Sequence, residues 1–368
     1  MKNFNVSQLL VSLVVAVFQI ATQSSAYAGD NILGGRIEVR GDHSWSCGLF
    51  DYPEGRFVKV VAGSCHGAAI RSNGSVVCWG YQGSPVGAQT PMVAPSGLLL
   101  KDIASGCNHL IGLRPDNTVC WWGSMSKQVP GPTTGLYTKI ASGWDHAVAL
   151  RDDGRIIAWG YNAFSQCNCP SDLFIDVTAG FNTTVGLHSD GSVIKWGEDR
   201  HYTSSAPPEV PLVRLGESNW SSGCAVGWDA SGHWYLWGID GLTYGVANAP
   251  SSSTPFVEIV SGNGGYAFGR TDDGRLINWG LDNRWDQGTY SFDKSKRYQS
   301  VSWGNAVVAL RIPCPTDLDD SDEVDSSDLG NLLLNIGQCD SCDADFDQNG
   351  EVDSADLGAL LLDFGSCP

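Results

Sequence analysis

The stretch IASGWDHAVALRDDGRIIAWGYN (residues 140–162) reads as two short strands around a tight turn. An apolar run, Ala147–Leu150, leads into Asp153-Gly154, and a second run, Ile156–Trp159, leads out of it to Gly160. Asp-Gly between apolar runs is a hairpin signal, because both turn positions favour residues that tolerate φ > 0. The unit recurs along the chain. Trp-Gly pairs stand at Trp79-Gly80, Trp122-Gly123, Trp159-Gly160, Trp196-Gly197, Trp237-Gly238 and Trp279-Gly280, spaced by 43, 37, 37, 41 and 42 residues. In four copies another glycine (Gly63, Gly106, Gly143, Gly180) precedes the pair's glycine by 17 residues. Copies five and six are stretched by five residues and one when measured from Gly216 and Gly262.

Repeats of this length, each a small sheet, stack radially as propeller blades. Two orphan half-units flank the six complete ones: HSWSCGLF (43–50) and VSWGNAVVALR (301–311). Joined, they make a seventh blade from both chain ends and leave no open sheet edge. The expected fold of residues 29–311 is therefore an all-β, seven-bladed propeller. Its glycines and tryptophans resemble those of the regulator-of-chromosome-condensation repeat family, whose members form seven-bladed propellers. The resemblance implies the disc, and not an activity, because function resides in sites rather than folds.

Sites are sparse in this region. His66, His109 and His146 each follow the repeat glycine by three residues, and this shared register assigns them to the repeat, satisfied by backbone contacts. Asp152-Asp153 and Asp272-Asp273 fall in turns, where acidic residues are routine. No catalytic residue is assigned. Counted from an Asn73-Gly74 turn, Cys78 falls opposite Ala69 rather than Cys65, so no disulfide within that hairpin is expected. Cys167 and Cys169 lie in a crossover, and Cys47 and Cys224 are both candidate partners. Trp144, Phe181, Trp220 and Tyr266 lie at or near the repeat glycines, either lining one end of the disc or packing the core. Aromatic faces there would suit sugar rings or protein anchors.

The C-terminal residues speak another language. Asp317, Asp319, Ser321, Glu323, Asp325 and Asp328 are followed 28 residues later by Asp345, Asp347, Asn349, Glu351, Asp353 and Asp356. Both sets fill positions 1, 3, 5, 7, 9 and 12 of a twelve-residue loop, the spacing that wraps oxygen ligands around Ca²⁺. Val324 and Val352 at position 8 are expected to pin each loop to a core. Position 6 is Gly350 in the second loop and Asp322 in the first, a sharp turn where Asp costs on the order of 1 kcal/mol. Site 1 is therefore expected to be the weaker.

After each loop an apolar period of 3–4 residues marks a helix: Leu329, Leu332, Leu333, Ile336, then Leu357, Leu360, Leu361, Phe364. Gly337 and Gly365 stop them. An EF-hand also has an entering helix, and only Cys-Pro-Thr and Cys-Asp-Ala stand before these loops. A duplicated loop–helix with Asp at position 12 resembles the dockerin module (type I-like), over residues 314–368.

The resemblance implies a non-catalytic, EF-hand-like plug with two Ca²⁺ ions that binds a cohesin-type module. In that family, loop positions 10 and 11 help select the partner; here they are Ser326-Ser327 and Ser354-Ala355. Leu334 and Leu362 lie off the apolar stripe, either forming an apolar partner face or packing the two helices together. Cys314, Cys339, Cys342 and Cys367 frame the loops symmetrically, compatible with 314–339 and 342–367, or with 314–367 and 339–342.

Charge divides the chain in the same place. Thr316–Pro368 hold 15 acidic residues and no Lys or Arg, whereas residues 29–311 hold 25 acidic and 21 basic ones. Crowded carboxylates make folding of the acidic part metal-dependent. Nothing is basic enough to suggest nucleic acid. Residues 1–28 read as a signal peptide, with an apolar core from Leu9 to Phe18 and Ala26-Tyr27-Ala28 before the cut, and no membrane span is expected. The chain thus reads as a secreted, extracellular protein. Two functions fit: a binding propeller for a glycan or protein, attached through the plug, or a polysaccharide-degrading glycoside hydrolase or lyase carried by it.

Overall fold

The computed structural model describes residues 34–41, 48–82, 90–198, 207–217, 224–238, 254–261, 266–280, 292–293, 296–312, 314, 316–319, 321, 323–338, 344–346 and 351–366. Residues 34–368 group as one unit. The signal-peptide reading lies outside the described residues, as do Trp220, Asp322, Asp347, Asn349 and Gly350.

Strand β1 (Arg36–Arg40) pairs antiparallel with β22 (Val307–Arg311), which pairs with β21 (Tyr298–Trp303). Between them run six further sheets. The first contains β2 (Lys59–Ala62), β3 (His66–Ile70), β4 (Val76–Gln82) and β5 (Thr90–Pro91). The second contains β6 (Asp102–Ser105), β7 (His109–Leu113) and β8 (Val119–Gly123), and the third β9 (Tyr137–Ser142), β10 (His146–Arg151) and β11 (Ile156–Gly160). The fourth holds β12 (Asp176–Ala179), β13 (Thr183–Leu187) and β14 (Val193–Gly197). The fifth holds β15 (Leu212–Leu215), β16 (Cys224–Asp229) and β17 (Trp234–Gly238), and the sixth β18 (Phe256–Ser261), β19 (Tyr266–Thr271) and β20 (Leu276–Gly280). All are antiparallel meanders, so each needs only short turns.

What holds the sheets together is packing between neighbours. Val61, Ala68, Ile70, Leu100, Ile103 and Leu110 form one core between the first and second sheets. Equivalent cores join each later sheet to the next. A further core closes the series: Ile37, Val39, Val308 and Leu310 of the β1–β22–β21 sheet pack on Val60, Ala62, Ala69 and Trp79 of the first. Middle strands such as β10 are therefore buried on both faces, which explains their unbroken apolar runs. The two chain ends do meet in one sheet, through Arg36–Arg40; of residues 43–50 only 48–50 are described. Leu49 instead fills the closing core and its carbonyl accepts from Trp79 Nε1 at 2.9 Å.

The repeat residues have direct physical reasons. At Gly160 φ is +101°, and an added Cβ would stand 2.7 Å from the Asp145 carbonyl oxygen. A Cβ at Gly63, Gly106 or Gly143 would overlap the ring of His66, His109 or His146 respectively. Gly216 does not share this position. Leu215 pairs with Gly227 as Ile103 pairs with Gly112, so Gly216 stands at the place of Ala104 rather than of Gly106. Cys78 pairs with Ala68, not Ala69, because the turn spans Arg71–Ser75 rather than two residues.

The acidic end has its own core of Cys314, Val324, Leu332, Ala344, Val352 and Leu360. Helices α1 (Ser326–Leu334) and α2 (Ser354–Leu362) follow the two loops. Strand β23 (Glu323–Val324) pairs with β26 (Gly365–Ser366), and β24 (Gly337–Gln338) with β25 (Glu351–Val352). Each loop is thus tied to the chain leaving the other helix, a reciprocal arrangement. Among the described residues no helix is long and apolar enough to cross a membrane.

Candidate functional site

The first acidic loop is built around Asp328. Its buried carboxylate accepts the Leu318 and Asp319 amides on Oδ1, at 2.6 and 3.0 Å, and the Asp325 amide on Oδ2 at 2.8 Å. Asp325 in turn caps α1 by accepting from the Ser327 amide at 2.7 Å. Positions 9 and 12 therefore form a reciprocal capping box. Sequence reading assigned both residues to metal binding alone; the Asp-x-x-Asp spacing ahead of an apolar run was the signal for the cap. Asp353 and Asp356 repeat it, with Asp356 Oδ1 accepting the Phe346 amide at 2.7 Å.

Within this frame Asp317, Asp319 and Asp328 each bring one carboxylate oxygen to within 4.8 Å of the others. Oxygen atoms bound to one Ca²⁺ at 2.3–2.6 Å lie no further apart than roughly 5 Å, so the three fit a hard cation. Asp317 Oδ1 and Asp319 Oδ1 both accept the Ser321 amide, which curls the loop, and Ser321 Oγ donates to the Glu323 carbonyl. The Ser321, Glu323 and Asp325 residues are exposed at the loop rim. In the second loop Asp345 is half-buried, Asp356 is buried, and Glu351 and Asp353 are exposed.

Val324 and Val352 are buried in the module core, as expected of position 8. The helical stripes are only half used. Leu332 and Leu360 are buried, while Leu333, Ile336, Leu361 and Phe364 are exposed. Leu334 and Leu362 are 85% and 88% exposed, which rules out their packing the two helices together. Ser326, Ser327, Ser354 and Ala355 are exposed in the first turns of the same helices. Cys314 carries a free thiol, so neither pairing through it is present. Cys339, Cys342 and Cys367 lie outside the described residues.

In the sheets, the three histidines do not form one site. Each is buried and reaches the next sheet: His66 Nε2 to Ser105 Oγ at 3.1 Å, His109 Nε2 to Ser142 Oγ at 2.9 Å, His146 Nε2 to Thr184 Oγ1 at 3.1 Å. Each contact includes a hydroxyl of the neighbour, and His66 and His109 also meet the backbone of the next histidine, the kind of partner expected from the sequence. Burial lowers their pKa values to about 3, 4 and 3, so all three are neutral near pH 7. The turn carboxylates are structural as well. Asp153 Oδ1 accepts the Arg155 amide, and Asp273 is held ionised by Arg275 and Thr271.

Trp144 and Phe181, from adjacent sheets, stack at 5.0 Å with a 13° interplanar angle. Beneath them an amide ladder links sheet to sheet: Ser64 N to the Cys107 carbonyl, Cys107 N to Trp144, and Trp144 N to Phe181, each 3.0 Å. Trp144 remains 36% exposed, leaving an edge for contact. Tyr266 begins β19. Cys65 is disulfide-bonded. Cys167 and Cys169 have free thiols whose pKa values burial raises to about 12 and 11.

Residues 57–84 and 137–166 match the model of the regulator of chromosome condensation (RCC1) repeat. No curated protein matches the chain. Among solved structures, the ectodomain of the Physcomitrella patens receptor kinase CR4 is similar at 20% identity, over 69% of this chain and 69% of that one, with a TM-score of 0.53. Human WBSCR16 is similar at 14% identity, over 76% of this chain and 99% of that one, with a TM-score of 0.54. The chain therefore carries RCC1-type repeats in a β-propeller-like fold of repeated small antiparallel sheets.

Proposed function

We propose that this chain is a secreted binding protein in two parts. Residues 1–28 are its signal peptide. Residues 29–311 form a seven-bladed propeller that takes a glycan or protein ligand. Residues 314–368 form a dockerin-like module that binds Ca²⁺ at two sites and docks on a cohesin-type module of an extracellular assembly. Seven successive sheets with seven shared cores, the last joining the two chain ends, support the blade count. The attachment half is carried by one observation: Asp317, Asp319 and Asp328 converge in a loop whose following helix exposes Leu334, with Leu362 exposed at the equivalent place in the second copy.

Ca²⁺ would be held by Asp317, Asp319, Ser321, the Glu323 carbonyl, Asp325 and Asp328, and in the second loop by Asp345, Asp347, Asn349, Glu351, Asp353 and Asp356. Its role there is to neutralise the acidic loops and so fix the exit direction of α1 and α2. The test is Ca²⁺ titration calorimetry on the full chain, followed by capture on immobilised cohesin-type modules with and without EDTA. Two sites, the first weaker, and EDTA-sensitive capture are expected. Capture unaffected by chelation, or an absence of Ca²⁺ binding, overturns the reading. A glycan array run beside reducing-sugar release separates a binding propeller from a carried hydrolase.

A further inference from the structure

The first strands of successive sheets, β2, β6, β9, β12, β15, β18 and β21, carry one equivalent position. Strand pairing identifies it: Lys59 lies opposite Ile70, Asp102 opposite Leu113, Lys139 opposite Leu150 and Asp176 opposite Leu187. In the remaining sheets Arg214 lies opposite Trp228, Glu258 opposite Arg270 and Ser300 opposite Leu310. Read round the series, the charges run plus, minus, plus, minus, plus, minus, and then neutral.

These groups reach their neighbours. Lys59 Nζ meets Asp102 at 2.6 Å and Lys139 Nζ meets Asp176 at 2.5 Å. Asp176 Oδ2 accepts the Leu215 amide at 2.7 Å, and Arg214 donates to the Val257 carbonyl at 3.1 Å. Glu258 accepts the Val301 amide and pairs with Arg270 at 2.9 Å. The last interface is neutral on one side: Gln299 donates to the Val58 carbonyl at 2.9 Å, and Ser302 Oγ accepts the Ala62 amide at 3.0 Å. Those two bonds place Ser300 beside Lys59. Glu217 adds a second partner to Lys59 at 2.9 Å. The cavity between Lys59, Asp102, Lys139 and Glu217 is about 40 Å³, room for roughly one water, so charged side chains fill this part of the axis.

We infer that the alternating charges of Lys59, Asp102, Lys139, Asp176, Arg214 and Glu258 form a closure code, and that Ser300 is its required neutral term. A seven-membered ring cannot alternate throughout, so one position must carry no charge. That position falls on the sheet made from both chain ends. Repeats this alike invite errors in which one sheet is skipped or exchanged between chains. A skip of one brings Lys59 beside Lys139, or Asp102 beside Asp176. Like charges held at partly buried positions repel strongly, so the erroneous ring is disfavoured. The code is independent of what the propeller binds.

The test is a thermal-unfolding cycle on the full chain with Ca²⁺ present. Ser300→Lys alone puts a cation between Lys59 and Glu258, which pull it in opposite senses, and is expected to lower Tm by up to about 5 °C, whereas Ser300→Asn stays within about 2 °C. In a Lys59→Glu background the same Ser300→Lys gains two acidic neighbours, Glu258 and residue 59, and should raise Tm instead. Burial alone cannot reverse that sign. If Lys59→Glu fails to fold, Lys59→Met replaces it, and the Ser300→Lys penalty should shrink by half or more. An equal Tm shift from Ser300→Lys in every background overturns the inference.

Discussion

The ring of sheets and the acidic module are both built by repetition, yet they treat charge in opposite ways. Around the axis, Lys59, Lys139, Arg214 and Arg270 are set among Asp102, Asp176, Glu217 and Glu258, four cations among four anions. From Thr316 onward, 15 acidic residues face no Lys or Arg. The axial charges of the first region balance one another, four against four. The second carries one sign throughout, so nothing within its own sequence balances it. Repetition with alternating sign makes a scaffold, and repetition with one sign makes a dependence on cations.

The largest break in that comparison comes from chelation. EDTA is expected to abolish the α1 and α2 helical signal and expose the module to protease, while the ring stays folded. Tryptophan fluorescence separates the two, because all 14 tryptophans lie at or before Trp303. A change of tryptophan emission on chelation would show the two regions to be coupled. Next in size is Gly143→Val, which forces a side chain into the His146 ring and the Gly180 carbonyl. It should cost about 2–3 kcal/mol in urea unfolding of the ring and leave Ca²⁺ titration unchanged.

Acid separates the regions a third way. The folded pKa values of His66, His109 and His146, about 3, 4 and 3, lie below the unfolded value of 6.5. Between these limits the unfolded chain binds more protons, so ring stability falls as pH falls from 6.5 toward 4. For each group, a tenfold difference in proton affinity between the folded and unfolded chain is worth about 1.4 kcal/mol. Urea midpoints measured at pH 7 and pH 5 should differ clearly, and less so in a His109→Gln variant. The smallest expected stability effect is Leu334→Ser with Leu362→Ser, within about 0.5 kcal/mol, because both side chains are already exposed. Partner capture should nonetheless fall, and unchanged capture would remove the proposed face.

Much of this architecture was legible in the residues. Trp-Gly and the glycine 17 residues earlier mark places where a Cβ does not fit, so the period shows directly in the residues. Gly216 misled because it stands at the place of Ala104 rather than of Gly106, a shift visible only once Leu215 pairs with Gly227. The N-terminal strand was missed because Arg36–Arg40 has charged residues at alternate positions and no Trp-Gly partner. The axial charges were present at regular spacing in Lys59, Asp102, Lys139 and Asp176. That they share one position shows only once strand pairing sets them opposite Ile70, Leu113, Leu150 and Leu187. In the module the ligand spacing was plain, whereas the double use of Asp328, as cap and as candidate ligand, depends on three amides converging on one carboxylate.

Strand β22 ends at Arg311, where Arg36 and Tyr298 flank it on either side. The chain runs from that point toward the acidic module. With the module held fast and a load on the ring, tension enters through the central strand of a three-stranded sheet, not through an edge. Pulling β22 free must then break two rows of hydrogen bonds, where an edge strand would lose only one. The strand that completes the ring is thereby also the one through which such a load would pass.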